Sequence, residues 1–173
     1  MSAIEALEPR TRPLGQREAA DLDAAFSEAR PRLVRIATSL VGAGAAEDVV
    51  HDTYLAARRS LNELRDPERI EAWLARICVH RAFRIERRSR RLRALLDLLP
   101  RPSAGPSRTS GLELRELVER LPARERAVIV LHHGHGYTLL EVAALIGVSH
   151  ANARKIAERA RGRLLSAWQE AER

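Results

Sequence analysis

From Leu22 onward the apolar residues Leu22, Phe26, Ala29, Leu33, Ile36 and Leu40 recur at alternating steps of four and three. That spacing draws one face of an α-helix. It cannot line one side of a strand, where side chains repeat every second residue. No strand-like alternation persists elsewhere in the 173 residues, and no internal repeat is visible. Aromatic residues make up only 3% of the chain, so a core has to be assembled from Leu, Ile, Val and Ala. The expected fold is therefore all-α: two small helical domains joined by a flexible linker, the C-terminal one containing a helix-turn-helix.

The chain divides by composition. Residues 1–21 carry several acids and no hydrophobic signal core, and are expected to form a loosely ordered extension. The first domain is expected over 22–93. Pro31 falls inside its first helix, where it is expected to divide or kink it. Gly42 and Gly44 are expected to end that helix, with Glu47 and Asp48 in the first turn of the second. Asp66 can cap a third helix with Pro67 at its first position. Residues 94–111 include "LLPRPSAGPSRTSG", a Pro-, Ser- and Gly-rich linker. The second domain is expected over 112–168.

Within that second domain lies "TLLEVAALIGVSHANARKIAERARGRL". Thr138 and Glu141 stand in the spacing of a capping box, which starts a helix. Gly147 can supply the left-handed turn that stops it, and Ser149 can cap the next. Ala143 is small where two helices must approach. Val142, Ile146, Val148, Ala153 and Ile156 can fill the wedge between them. His150, Ala151, Asn152, Arg154, Lys155 and Glu158 are left pointing outward. Helix, glycine turn and helix in this register form a helix-turn-helix, whose second helix enters the major groove. Arg and Lys read guanine there and Asn reads adenine. The plainer alternative is a helical hairpin with a solvated basic face.

The formal net charge is +7 and the pI is near 10.9, which points to a polyanionic partner. Lys155 is the only lysine; arginine supplies the rest, as a GC-rich genome alone would also favour. A second basic focus comprises Arg81, Arg84, Arg87, Arg88, Arg90, Arg91 and Arg93, following Trp73. A basic helix with an aromatic suits melted DNA, through phosphate contact and base stacking. Trp73 fits a core position equally well. Cys78 is the sole cysteine, which excludes an intrachain disulfide and fits a reducing, cytoplasmic setting. It is expected to be a small core residue. His132, His133 and His135 lie close together, but no nearby cysteine or acid completes a zinc set, so no metal or other cofactor is expected. No Ser/His/Asp set or Gly-rich phosphate loop stands out, so no catalytic residue is assigned.

The blocks "AEDVVHDTYLAARR", "AWLARICVHRAFRIERRSRR" and "LPARERAVIVLHHGHGYTLLEVAALIGVSHANARKIAERARGRL" together resemble the small sigma-70-type initiation factors, in particular the extracytoplasmic-function (ECF) sigma factors. The resemblance spans Phe26 to Leu164. It implies that Asp48, Val49, His51, Asp52 and Leu55 dock on the β′ clamp of core RNA polymerase. Asp48 and Asp52 are one helical turn apart and can present a paired acidic face. It implies that "LNELRDPERI", with Asn62, Glu63, Arg65 and Asp66, accepts a base flipped from the −10 element. Trp73, Arg76, His80, Arg81 and Arg84 would lie along that element. His150, Asn152, Arg154, Lys155, Glu158 and Arg159 would read the −35 element, and the same domain would hold the polymerase β flap. An anti-sigma factor is a further partner the resemblance allows. Many members have an acidic linker that threads the RNA exit path, and this chain's neutral-to-basic linker is not expected to mimic RNA. The family commonly has asparagine where this chain has His80, and many members have arginine and leucine at the positions of Ile156 and Ala157. Promoter preference is therefore expected to differ. The competing function is a stand-alone helix-turn-helix regulator of duplex DNA, for which the acidic helix and melting loop have no use.

Overall fold

The computed structural model describes residues 16–64, 66–96 and 114–171, and among them there are helices and turns but no strand. The expected residues 1–15, Arg65 and most of the linker lie outside the described residues.

Three helices build the N-terminal block: α1 (Gln16–Val41), α2 (Ala43–Ser60) and α3 (Ile70–Leu96). Each packs on the other two. The spacing read from the sequence is the buried stripe: Leu22, Ala29, Leu33, Ile36 and Leu40 are all core residues, with Phe26 packed against them. At the α1–α2 seam the Phe26 and Tyr54 rings sit 5.0 Å apart and the Tyr54 hydroxyl donates to Asp23 at 2.7 Å. From α3, Leu74, Ala75, Cys78, Val79 and Ala82 complete the core. Thr53 is buried there too, its hydroxyl donating to the Val49 carbonyl at 2.7 Å, which satisfies it within the helix.

Three local expectations need correction. Helix α1 starts at Gln16 rather than near Leu22, and runs past Pro31 without ending. Pro31 is exposed, so its ring faces solvent. Helix α2 starts at Ala43, a turn ahead of Glu47 and Asp48, which therefore do not sit in its first turn. The break between α1 and α2 is Gly42 alone, at φ 83°; Gly44 is helical. Asp66 does cap, accepting the Glu68 N–H at 3.1 Å, but it opens a single 3-10 turn, Pro67–Arg69, that leads into α3.

The C-terminal block holds α4 (Leu114–Arg120), α5 (Ala123–Ile129), a π turn (Val130–Gly134), α6 (Leu139–Ile146) and α7 (His150–Ala171). Helix α7 packs on α4, α5 and α6. The two blocks do not stand apart. One hydrophobic cluster runs from Leu33, Ile36 and Val79 to Val128, Leu131, Tyr137, Val142 and Leu145. Helix α6 rests on α3, and α5 and the π turn rest on α1. Helix α3 also continues to Leu96, into the stretch expected to be linker.

Candidate nucleic-acid and polymerase interfaces

The helix-turn-helix is assembled by hydrogen bonds each spanning a few residues. The Thr138 hydroxyl accepts the Glu141 N–H at 3.2 Å, and the Glu141 carboxylate accepts the Thr138 N–H at 2.8 Å. The Thr138 hydroxyl also donates to that carboxylate at 2.8 Å, and the two bonds the carboxylate accepts, from the hydroxyl and the N–H, hold it below its ordinary range. Helix α6 ends at Gly147, at φ 71° and ψ 46°. The Val148 N–H returns to the Ala143 carbonyl at 3.0 Å. The Ser149 hydroxyl then accepts the Asn152 N–H at 3.2 Å and caps α7. Val142, Ala143, Ile146, Ala153 and Ile156 are buried in the wedge, with Val148 partly so.

Burying Ala153, Ile156 and Ala160 turns the opposite arc of α7 to solvent. His150, Asn152, Arg154, Lys155, Glu158 and Arg159 are all exposed on it. These six candidates form one surface of donors, with Glu158 the sole carboxylate among them.

The candidates on α3 are less uniform. Arg76, His80 and Arg84 are exposed and four residues apart, so they share a stripe. Arg81 is half-buried. Trp73 packs against the core and is only partly open, which leaves its structural role in place and limits any stacking on a base. Asn62 is exposed on a 3-10 turn, Leu61–Glu63, beside the start of α3. Arg65 lies outside the described residues. Further along α3, Arg84, Arg87, Arg88 and Arg91 line a cleft of about 400 Å³. The last three belong with the basic stripe although the list of −10 candidates stops at Arg84; the arginine run was the signal for them.

On α2, Asp48, His51 and Asp52 are exposed and Leu55 is half-buried. Val49 is 0% exposed and belongs to the core, so it has no surface to offer a partner.

The three clustered histidines each meet a partner within the protein. The His132 Nδ1 meets the Tyr137 carbonyl at 2.6 Å, His133 lies edge-on to His132, and His135 reaches across to Ser39 at 3.2 Å. Among the described residues no group of three His, Cys, Asp or Glu side chains is placed to hold a metal ion. Nor is any described helix long and apolar enough to cross a membrane. Cys78 is fully buried, 3.7 Å from the Leu33 carbonyl, and burial pushes its thiol up to about 11.

This geometry coincides with known families. Residues 25–92 match the family model "Sigma-70 region 2" and residues 111–164 match "Sigma-70, region 4". The chain is 27% identical over 121 residues to the ECF RNA polymerase sigma factor SigM of Mycobacterium tuberculosis, covering 69% of this chain and 62% of that protein. It thus spans about six tenths of that relative's length. Among solved structures, the sigma factor RpoE of Bartonella quintana, held with the anti-sigma factor NepR, shares the fold at a TM-score of 0.64 and 22% identity, over 86% of this chain and 97% of that one. CnrH, solved with the cytosolic domain of CnrY, aligns at a TM-score of 0.61 and 28% identity, over 90% of this chain and 96% of that one. With both sigma-70 regions matched in order and a capped helix-turn-helix inside the second, the chain belongs to the sigma-70 family, in its extracytoplasmic-function group.

Proposed function

We propose that this protein is an RNA polymerase sigma factor that directs core polymerase to specific promoters and assists melting at the −10 element. The observation that carries this is the succession along one chain of three exposed surfaces of different charge. An acidic pair, Asp48 and Asp52, stands on α2; a basic stripe, Arg76 to Arg91, follows on α3; a donor-rich face follows on α7 behind a capped turn. A regulator of duplex DNA needs only the third. A factor that must hold the polymerase, stabilise an opened strand and find a site upstream needs all three.

In this function α2 docks on the β′ clamp through Asp48, His51, Asp52 and the open part of Leu55. The connection between α2 and α3, which carries Asn62 and Asp66, receives a base flipped out of the −10 element, at a stacking cost of a few kcal/mol. Arginines of α3 offset that cost by neutralising phosphates of the separated strand. Helix α7 reads the −35 element through His150, Asn152, Arg154 and Lys155, with Glu158 and Arg159 alongside. The C-terminal block also meets the β flap. The chain makes no bonds itself; it acts in the cytoplasm and the polymerase supplies the chemistry. An anti-sigma factor is the proposed regulatory partner, since RpoE was solved with one.

The test is run-off transcription with core polymerase, with and without this protein, followed by mapping of start sites. Promoter-specific transcripts that depend on the protein are expected. A purified chain that never associates with core polymerase yet occupies duplex sites alone overturns the proposal in favour of a stand-alone regulator.

A further inference from the structure

A cleft of about 530 Å³ opens between α4 and the second half of α7, and the surfaces assigned above touch it only through Arg159. Sites for small molecules run from about 300 to 1,000 Å³. The floor is apolar: Pro122, Leu164 and Ala167 are half-buried there. The rim is arginine: Arg120 from α4, and Arg159 and Arg163 from α7. Glu170 is the sole carboxylate among the lining residues. Most of that positive charge is not spent inside the protein. Arg115 pairs with Glu119 along α4 at 3.0 Å, but neither Arg120 nor Arg159 has an acid partner among the described residues. Arg163 is held by one edge only. Its Nε faces the Glu125 Oε2 at 3.2 Å, with 62% of the Arg163 side chain exposed and 8% of the Glu125 side chain. That buried oxygen makes no well-aligned hydrogen bond, so the contact is ionic and leaves the Arg163 Nη groups for a ligand.

Gly162 supplies a second, independent observation. It lies in the middle of α7 and lines the same cleft. Glycine in a helix interior weakens the helix relative to alanine. The backbone does not ask for it, because the glycines at positive φ are Gly42, Gly136 and Gly147. Packing does not ask for it either, because a Cβ at 162 would meet nothing within 4 Å. What a side chain at 162 would enter is the cleft. The helix gives up stability there to keep that space open beside two guanidiniums.

We infer that this cleft is a binding site for a small anionic amphiphile, a phosphate monoester or carboxylate carried on a short apolar body. The apolar body lies on Pro122, Leu164 and Ala167, in the space that Gly162 leaves. The anionic head takes the guanidiniums of Arg120, Arg159 and Arg163, whose planar forks match phosphate and carboxylate oxygens. Nucleic acid would not need the apolar floor, and an uncharged apolar ligand would not need the arginine rim. Arg159 also belongs to the −35 face of α7, so an occupied cleft draws that guanidinium away from DNA. This competition rests on the sigma-factor function proposed above; the site itself does not.

The test is isothermal titration calorimetry on the full chain, free of polymerase and DNA, with octyl phosphate, inorganic phosphate and octanol in turn. Octyl phosphate is expected to bind one-to-one and at least about tenfold more tightly than either fragment. Arg120→Gln should weaken it about tenfold, the loss of one charge-assisted hydrogen bond. Gly162→Leu should abolish it by filling the cleft, and folds because that position is open. Binding undiminished in Gly162→Leu places the ligand elsewhere and overturns the site. Inorganic phosphate bound as tightly as octyl phosphate overturns it too, since the apolar floor then contributes nothing. So does uptake onto vesicles of phosphatidic acid and phosphatidylcholine with none of octyl phosphate from solution, which favours a membrane surface. Fluorescence anisotropy on a −35 duplex then reads the competition. Saturating octyl phosphate is expected to weaken duplex binding about fivefold in wild type and to leave Gly162→Leu unchanged. Duplex affinity unmoved at saturation refutes the competition. A chain that directs promoter-specific transcription yet ignores octyl phosphate refutes the site and leaves the sigma function standing. One that binds octyl phosphate but never yields transcripts refutes the sigma function and leaves the site standing.

Discussion

Replacing Gly147 by alanine isolates one physical quantity, the cost of a left-handed backbone at the turn between α6 and α7. Gly147 sits at φ 71° and ψ 46°, with its N–H and that of Val148 both returning to the Ala143 carbonyl. A Cβ there would lie 3.5 Å and 3.7 Å from His80 Cε1 and Nε2, ordinary contact distances, so crowding contributes little. What remains is the backbone conformation, which costs an L-residue about 1–2 kcal/mol. Reduced freedom of the unfolded chain returns about 0.4–1 kcal/mol. Gly147→Ala is therefore expected to destabilise by about 1 kcal/mol. Gly162 is the internal control: it lies in the middle of α7, and a Cβ there meets nothing within 4 Å. Gly162→Ala is expected to stabilise by about 0.5–1 kcal/mol. Urea unfolding of the full chain at unchanged slope reads both, and the midpoints should move in opposite directions. A Gly147→Ala protein as stable as wild type, or two alanines that shift the midpoint the same way, refutes the assignment of a left-handed turn at 147.

Arg154→Ala is expected to weaken binding to a −35 duplex by about 1–3 kcal/mol and to relax discrimination at one base pair, read by fluorescence anisotropy on single-substitution duplexes; unchanged discrimination would move the reading face elsewhere on α7. Two histidines at the interface should make docking acid-sensitive. Burial holds His80 below the ordinary histidine value, with Arg76 and Arg124 adding repulsion, and burial with Arg35 and Arg32 does the same for His135. A depressed value means the docked form resists protonation. Docking is thus undisturbed above the ordinary value of about 6.5 and weakens as pH falls below it, until the depressed values are passed. Energy transfer between dyes on α1 and α7 should drop across that interval in wild type, and the drop should shrink in a His80→Gln, His135→Gln double variant. With its thiol pushed up to about 11 by burial, Cys78 should be inert to a thiol reagent at pH 8 in the folded chain and react at once in denaturant; rapid modification of the native protein would contradict its place in the core.

The helix-turn-helix was the most legible part of the chain because each of its determinants acts over a few residues. Thr138 with Glu141, Gly147, and Ser149 with Asn152 close their hydrogen bonds within four residues of one another, and all formed as read. The buried wedge followed from helical spacing alone. The α1 stripe was legible for the same reason. Helix starts were less so: acids at 47 and 48 suggested a first turn there, but the backbone of Gly42 at φ 83° set the boundary earlier. Pro31 suggested a break, yet a proline whose ring faces solvent can be carried within a helix held by its buried face. Val49 and Trp73 were legible as members of a pattern but not by role, since sequence spacing cannot separate a side chain that fills the core from one that waits for a partner.

Taken alone, the order of residues settled that this chain is helical, where the second helix of its helix-turn-helix begins, and which charges each helix bears, because those properties arise from neighbours a turn apart. Tertiary structure alone decided that the two blocks share a core. Ser39 meets His135 across 96 residues, and the pairing of the buried Glu86 becomes visible only when Arg126 arrives from another helix. Burial and long-range electrostatics are properties of the packed whole, and no local pattern carries them.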